Sequence, residues 1–139
     1  MKLYKNFNIL RNHKKSIILI GNFDGVHLGH QKLFKLANRY KKKFNLNIGV
    51  LTFEPMPKMF FNKDIKNFRI SNITQKNTIL KSLGVDFIIT QKFDKKFSKI
   101  KSDFFIKEIL CKKLEAKYIF VSNNFRFGNK REGNVNLLI

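Results

Sequence analysis

One stretch decides the fold of this chain: Ser16-Ile17-Ile18-Leu19-Ile20-Gly21-Asn22-Phe23-Asp24-Gly25-Val26-His27-Leu28-Gly29-His30. Residues 16–20 form a short apolar, β-branched run bounded by glycine, which is typical of a strand buried on both faces. The chain then turns through Asp24-Gly25, and a helix is expected to begin near Leu28 or Gly29. Apolar residues recur at helical spacing as far as Lys42. The stretch therefore predicts a strand, a tight turn and a helix.

Outward from this unit, strands and helices continue to alternate. The predicted elements are strands over 47–53, 85–90 and 116–121, and helices over 29–42, 71–83 and 102–114. Four strands separated by helices predict a doubly wound parallel α/β sheet covered on both sides. In such sheets a ligand binds beyond the carboxyl ends of the strands, where the strand order reverses. The loops over 21–30 and 123–133 are the predicted site.

Composition limits the class of protein. The chain has 139 residues, of which 43% are hydrophobic, so we expect one packed domain rather than a disordered tail. No apolar run is long enough to span a bilayer, and no membrane partner is expected. The lone cysteine, Cys111, cannot form an internal disulfide, which suits the cytoplasm; its apolar helical surroundings predict a core-packing role.

The formal net charge of +20 favours phosphate-bearing partners of any kind. Nucleic-acid binders concentrate such charge on one face, whereas lysine here is spread along the chain, with one triplet at 41–43. An AT-rich genome would produce the same abundance of Lys, Asn, Ile and Phe. A nucleic-acid partner is therefore the less favoured interpretation, although it stays open.

The turn over 21–30 has the chemistry of a phosphate site. A helix N-terminus presents unpaired backbone N–H groups and the positive end of the helix dipole. His27 and His30 are three residues apart and can lie on one side of the first turn, while Gly29 between them leaves room for a nucleotide. This set suits nucleotidyl transfer, in which the protein aligns phosphates and stabilises charge. A zinc site at these two histidines would need further ligands, and none is nearby. The third histidine, His13, lies in a polar N-terminal stretch, and the sequence predicts no partner and no role for it.

Here the sequence resembles a known family, that of the bacterial bifunctional riboflavin kinase/FMN adenylyltransferases. Residues 20–31 are similar to its signature, a variant of the HxGH motif of the wider nucleotidyltransferase superfamily. The resemblance continues through further runs: Leu51-Thr52-Phe53-Glu54-Pro55-Met56-Pro57, Arg69-Ile70, Leu83-Gly84-Val85-Asp86, Phe104-Phe105, Ile109-Leu110, Asn124-Phe125-Arg126-Phe127-Gly128 and Arg131-Glu132-Gly133. The resemblance covers nearly everything from Ser16 onward.

The resemblance implies an FAD synthetase, which transfers AMP from ATP to FMN and releases pyrophosphate. It implies Mg²⁺ held mainly by the ATP phosphates, with no metal site in the protein itself. The implied catalytic residues are His27, His30 and Asn124. The implied ATP-binding residues are Gly21, Phe23, Asp24, Gly25, His27, Gly29 and His30. The implied flavin-binding residues are Phe53, Pro55, Pro57, Asn124 and Arg126.

Two departures from the family pattern are substitutions: Met56 stands where the family usually has histidine, and Ser122 where it often has glycine. The family's second nucleotide motif, an Ile-Ser-Ser-Thr-x-Ile-Arg run, and the Pro-Thr-Ala-Asn motif of its riboflavin kinase module are not found in residues 1–139. We therefore expect a partial adenylyltransferase domain over 1–139, without the kinase domain. Two alternatives remain: another HxGH enzyme, of the cytidylyltransferase or pantetheine-phosphate adenylyltransferase type, or a non-catalytic basic nucleic-acid-binding module.

Overall fold

The predicted strand at 16–20 lies inside a parallel sheet of five strands. The computed structural model describes residues 1–23, 28–54, 73–121, 126–127 and 133–134. The strands are β1 (Lys2–Tyr4), β2 (Ile17–Ile20), β3 (Ile48–Glu54), β4 (Phe87–Lys92) and β5 (Tyr118–Val121). Their order across the sheet is β1-β4-β3-β2-β5, and every pairing is parallel. The prediction of a doubly wound parallel α/β sheet is confirmed.

The remaining described elements are helices and one small hairpin. They are a 3₁₀ turn (Arg11–His13), α1 (Leu28–Phe44), α2 (Ile73–Ser82), α3 (Lys95–Ser98), α4 (Ser102–Phe104), a π-helical segment (Phe105–Lys113), and the antiparallel pair of β6 (Arg126–Phe127) with β7 (Gly133–Asn134). Within the described ranges, no helix combines the length and the apolar character that a bilayer crossing requires.

Alternating side chains of the sheet build a core on each of its faces. In β2, Ile17 and Leu19 pack on the side of α1 and α2, whereas Ile18 and Ile20 pack on the side of the π-helical segment. All four are essentially inaccessible to solvent. Burial of both faces explains why β2 is a continuous apolar run instead of an alternating one.

The five-stranded sheet contains one strand that the sequence did not predict, and the antiparallel pair of β6 and β7 was also missed, since 123–133 is expected to be a loop. β1 is only three residues long, and it pairs with β4 from Lys2 opposite Phe87 to Tyr4 opposite Ile89. Only Tyr4 of the three is buried. A short strand at the sheet edge leaves no periodic apolar signal, so no pattern in the sequence indicates it.

Two sequence expectations are wrong. His13 has partners: its Nδ1 lies 2.7 Å from the Tyr4 hydroxyl, and its ring stacks on Phe87 with centroids 4.5 Å apart. Cys111 is exposed rather than packed in the core. Its segment is π-helical, with the Leu114 N–H donating to the Ile109 carbonyl at 2.9 Å. Cys111 follows the buried pair of Ile109 and Leu110 and lies outside the stripe that they form with Phe105, so its side chain faces solvent.

Candidate functional site

The strand order reverses between β2 and β5, and this is where an α/β sheet of this kind opens its binding crevice. β2 pairs with β3 on one side and with β5 on the other. In register, Ile20 lies beside both Leu51 and Val121, so β2 and β5 end side by side. The loops predicted to form the site leave the sheet at these two strand ends.

The turn after β2 is built around the side chain of Phe23. Gly21 extends the sheet by one bond, its N–H donating to the Leu51 carbonyl at 3.1 Å. Phe23 is 3% exposed and has a φ of 52°, in the left-handed region that bulky residues rarely occupy. Its ring lies over Gly21, where a Cβ would come within 3.2 Å of it. Glycine at position 21 thus allows the strained turn to fold back on the strand.

His30 lies in the first turn of α1 and contacts this turn directly. Its ring meets the Phe23 ring nearly edge-on, with centroids 5.0 Å apart, and Phe34 packs on Phe23 at 5.3 Å. The Nδ1 atom of His30 is buried. The first turn of α1 contains no acidic residue that would oppose an anion at the helix N-terminus. The geometry thus places one imidazole beside a helix N-terminus at the reversal point.

Apart from Phe53, the predicted site residues divide into three groups. Gly21, Phe23 and His30 come together as described, and the backbone of Gly29 lies in the first turn of α1. Arg126 begins β6, opposite Asn134, and only its backbone is described. The other predicted site residues lie outside the described part of the chain: Asp24, Gly25, His27, Pro55, Pro57 and Asn124.

Phe53 is on the opposite side of the sheet from Phe23. It is 6% exposed, and its ring packs against Phe93 and Phe97, with centroids 5.9 and 5.5 Å away. Its aromatic ring therefore belongs to the core below the π-helical segment. Because its ring is buried in this core, Phe53 could contribute to a ligand site only indirectly, by holding the carboxyl end of β3 in place.

Sequence reasoning missed a polar cluster at the end of β3. The ammonium group of Lys76 in α2 donates to the Thr52 hydroxyl at 3.1 Å and lies 3.8 Å from Glu54 Oε1. The available signal was positional, since Lys76 precedes the fully buried Leu80 by one helical turn and so occupies the core-facing stripe of α2.

Asn22 was also missed as a candidate. Its Oδ1 atom is buried and accepts no hydrogen bond from the described residues. A buried amide oxygen is costly without a donor, so this atom is suited to accept a hydrogen bond from a ligand. Among the same described residues, no group of three or more His, Cys, Asp or Glu side chains could hold a metal ion.

Known proteins resemble this chain over nearly its whole length. A bifunctional riboflavin kinase/FMN adenylyltransferase from Buchnera aphidicola subsp. Schizaphis graminum is 43% identical over 141 residues, and that from Escherichia coli K12 is 36% identical over 140. Each alignment covers 99% of this chain but 45% of the relative, so the chain spans less than half the length of these proteins.

A solved structure has the same fold. It is described as a macrolide-efflux protein from Streptococcus pneumoniae, and it matches with a TM-score of 0.79 and 28% identity, over 98% of this chain and 45% of that one. The family model for FAD synthetase matches residues 9–139. Because that model spans almost the entire sequence, the chain belongs to the FAD synthetase family.

Proposed function

We propose that this chain carries an FMN adenylylation site, which transfers AMP from ATP to FMN and yields FAD and pyrophosphate. The observation that carries the proposal is the contact between His30 and the strained Phe23 turn at the point where the strand order reverses. Family membership and the names of the curated relatives support this reaction over other transfers of a nucleotide.

In the proposed step, an oxygen of the FMN phosphate attacks the α-phosphorus of ATP. The bond from that phosphorus to the bridging oxygen breaks, and pyrophosphate leaves with the electron pair. The N–H groups at the start of α1, together with His27 and His30, donate hydrogen bonds to the phosphate oxygens as negative charge shifts toward the leaving group. The step needs alignment and charge stabilisation but no side-chain nucleophile.

Magnesium enters this proposal with the nucleotide. Mg²⁺ keeps several of its waters and binds through substrate phosphates with few protein carboxylates. Only nine acidic residues are available in the sequence. When bound, Mg²⁺ would neutralise part of the triphosphate charge, and the phosphates themselves would be its main ligands.

The remaining residues have proposed roles around the two substrates. The ATP side is assigned to Gly21, Phe23, Asp24, Gly25, Gly29 and the two histidines. The flavin side is assigned to Phe53, Pro55, Pro57, Asn124 and Arg126. We add Asn22 to the ATP side, because its buried Oδ1 can accept a hydrogen bond from a nucleotide hydroxyl or amino group.

We also propose the identity of the domain and the location of the protein in the cell. Residues 1–139 would correspond to the adenylyltransferase part of relatives that are named bifunctional. The lone cysteine supports a cytoplasmic location. The charge of +20 would attract anionic FMN and ATP.

The test is a substrate panel analysed by chromatography. The chain with Mg²⁺ is given ATP or CTP as donor and FMN or phosphopantetheine as acceptor. We expect FAD from ATP with FMN and no product from the other pairs. His30→Ala and His27→Ala should each slow FAD formation roughly a hundredfold. The control is Lys32→Ala, an exposed residue of α1 that should leave the rate unchanged.

Two results would overturn the proposal. One is the absence of FAD from the wild-type chain with ATP and FMN. The other is an unchanged rate in both histidine variants. Salt-sensitive binding to RNA or DNA without any response to FMN would instead favour a nucleic-acid-binding module.

A further inference from the structure

Phe34 is a buried aromatic residue of α1 to which the proposed mechanism assigns no role. Its side chain is 1% exposed. Its ring meets the Phe23 ring with centroids 5.3 Å apart and planes at 61°. The opposite contact of Phe23 is with the imidazole of His30, at 5.0 Å and 70°. These three rings form an aromatic row that runs from the core to the candidate site.

The two outer members of the aromatic row belong to the same helix. His30 and Phe34 are four residues apart in α1, and side chains at this spacing lie on one face of a helix. Both contact Phe23, which belongs to the turn after β2. Phe23 therefore bridges the two helical side chains, and the aromatic row fastens the turn to the first part of α1.

The backbone of Phe23 makes the support from Phe34 important for the site. Phe23 has a φ of 52°, and a bulky residue keeps such a conformation only where its surroundings enforce it. The strand side confines the ring at Gly21, and the helix side confines it at Phe34. Close-packed interiors transmit displacements from one side chain to the next. A change in the Phe34 ring is therefore expected to reach His30 through Phe23.

We infer that Phe34 is a positioning residue for His30. Its ring fixes the Phe23 ring, and the Phe23 ring fixes the imidazole that the proposed step uses on the phosphate oxygens. Phe34 is itself enclosed in the core and acts only through the other two rings. The inference rests on the proposed function, because it presupposes that His30 takes part in FAD formation.

The kinetic test is a double-mutant cycle between positions 34 and 30. Phe34→Leu keeps an apolar side chain but removes the aromatic contact, so we expect kcat for FAD formation to fall about two- to tenfold. In the His30→Ala background the same substitution should change the rate by less than about twofold, because the residue through which Phe34 acts is gone. A loss caused only by a weaker core would be equal in both backgrounds. The matched control is Phe105→Leu, which alters an equally enclosed phenylalanine on the opposite face and should leave kcat within about twofold.

Nuclear magnetic resonance of the imidazole protons provides a second measurement that does not depend on activity. The chain has three histidines, and the signals of His30 are identified by their loss in His30→Ala. We expect Phe34→Leu to shift the signals of His30 and to leave those of His13 unchanged, since the His13 ring stacks on Phe87 in the other core. Phe34→Met, which also lacks the ring, serves if the leucine variant does not fold.

The outcomes separate this inference from the proposed function. An equal loss of rate in both backgrounds, or His30 signals that do not shift when the Phe34 ring is removed, would overturn the inference and leave the proposed function standing. A wild-type chain that makes no FAD from ATP and FMN would overturn the proposed function, and the inference with it.

Discussion

The ring of Phe23 lies edge-on to the imidazole of His30, with centroids 5.0 Å apart and planes at 70°. Phe23 adopts a left-handed backbone conformation, which costs a bulky residue about 1–2 kcal/mol. Strain of this kind persists where the surrounding structure enforces it and is concentrated at functional sites. Phe34 supports the Phe23 ring from the helix, so the orientation of His30 depends on a strained residue that cannot move freely.

Replacing the Phe23 ring should reduce activity through His30. Phe23→Leu keeps an apolar side chain but removes the edge contact, which is typically worth about 0.5–1.5 kcal/mol, so we expect kcat to fall roughly two- to tenfold. Steady-state FAD formation measures this. The matched control is Phe105→Leu, a buried phenylalanine in the core on the opposite face. If both variants lose stability but keep the wild-type kcat, Phe23 does not position His30.

Gly21 lies directly against the Phe23 ring. A Cβ at position 21 would lie 3.2 Å from the Phe23 ring, so Gly21→Ala should push the ring outward and lower the rate of FAD formation. In a Phe23→Leu background the smaller side chain leaves room, and the same substitution should cost less. A double-mutant cycle on the rate measures this coupling. Strictly additive effects would show that the two positions are independent.

A substitution at Gly49 tests the packing between β3 and β4 independently of the candidate site. A Cβ there would clash with the Phe87 ring, which would have to move. We expect Gly49→Ala to lower the free energy of unfolding by about 1–3 kcal/mol, measured by urea denaturation. Adding Phe87→Leu should recover part of this loss. An Ala variant with wild-type stability would contradict the packing described for β3 and β4.

His13 should make stability depend on pH. Its pKa is lowered from 6.5, mainly because burial disfavours the charged form and to a lesser extent because of Lys2, while Asp86 opposes the shift. The unfolded chain therefore takes up the proton more readily than the folded chain. The stability contributed by neutral His13 is fully present above pH 6.5 and is lost as the pH falls through the folded pKa.

Urea denaturation between about pH 5 and 8 checks this, since that range brackets the ordinary pKa of histidine by roughly a unit or more on each side. His13→Phe keeps a ring against Phe87 but cannot titrate, so its stability should vary less with pH than that of the wild type. Parallel curves for the two proteins would rule out His13 as the titrating group.

The sequence predicted the parts of the fold that repeat a strong local pattern. β2 through β5, with α1 and α2, follow apolar runs and helical stripes, and Gly21 marks the end of β2. β1 was missed because three residues at an edge carry no periodicity. Cys111 was misplaced because it neighbours the buried residues Ile109 and Leu110 in sequence but lies outside the stripe that they form with Phe105.

The candidate site was predictable only where its residues are close together in the sequence. His30 and Gly21 stand in one short motif, so the sequence predicts their proximity. The cluster of Thr52 and Lys76 joins residues 24 positions apart, across a strand and a helix. Apart from the helical spacing of Lys76 and Leu80, no local pattern indicates the cluster, because the sheet register and the helix packing bring its members together. Likewise, only the side-chain alternation of β3 shows that the Phe53 ring enters the core on the opposite face of the sheet.

The most direct test of the central claim follows the α-phosphorus of ATP. The wild-type chain is incubated with FMN, Mg²⁺ and ATP labelled at that atom, and the products are separated by chromatography. Adenylyl transfer predicts label in FAD, unlabelled pyrophosphate, and a rate roughly a hundredfold lower in His30→Ala. Label that stays in ATP, or an equal rate of FAD labelling in the His30→Ala variant, would contradict the claim.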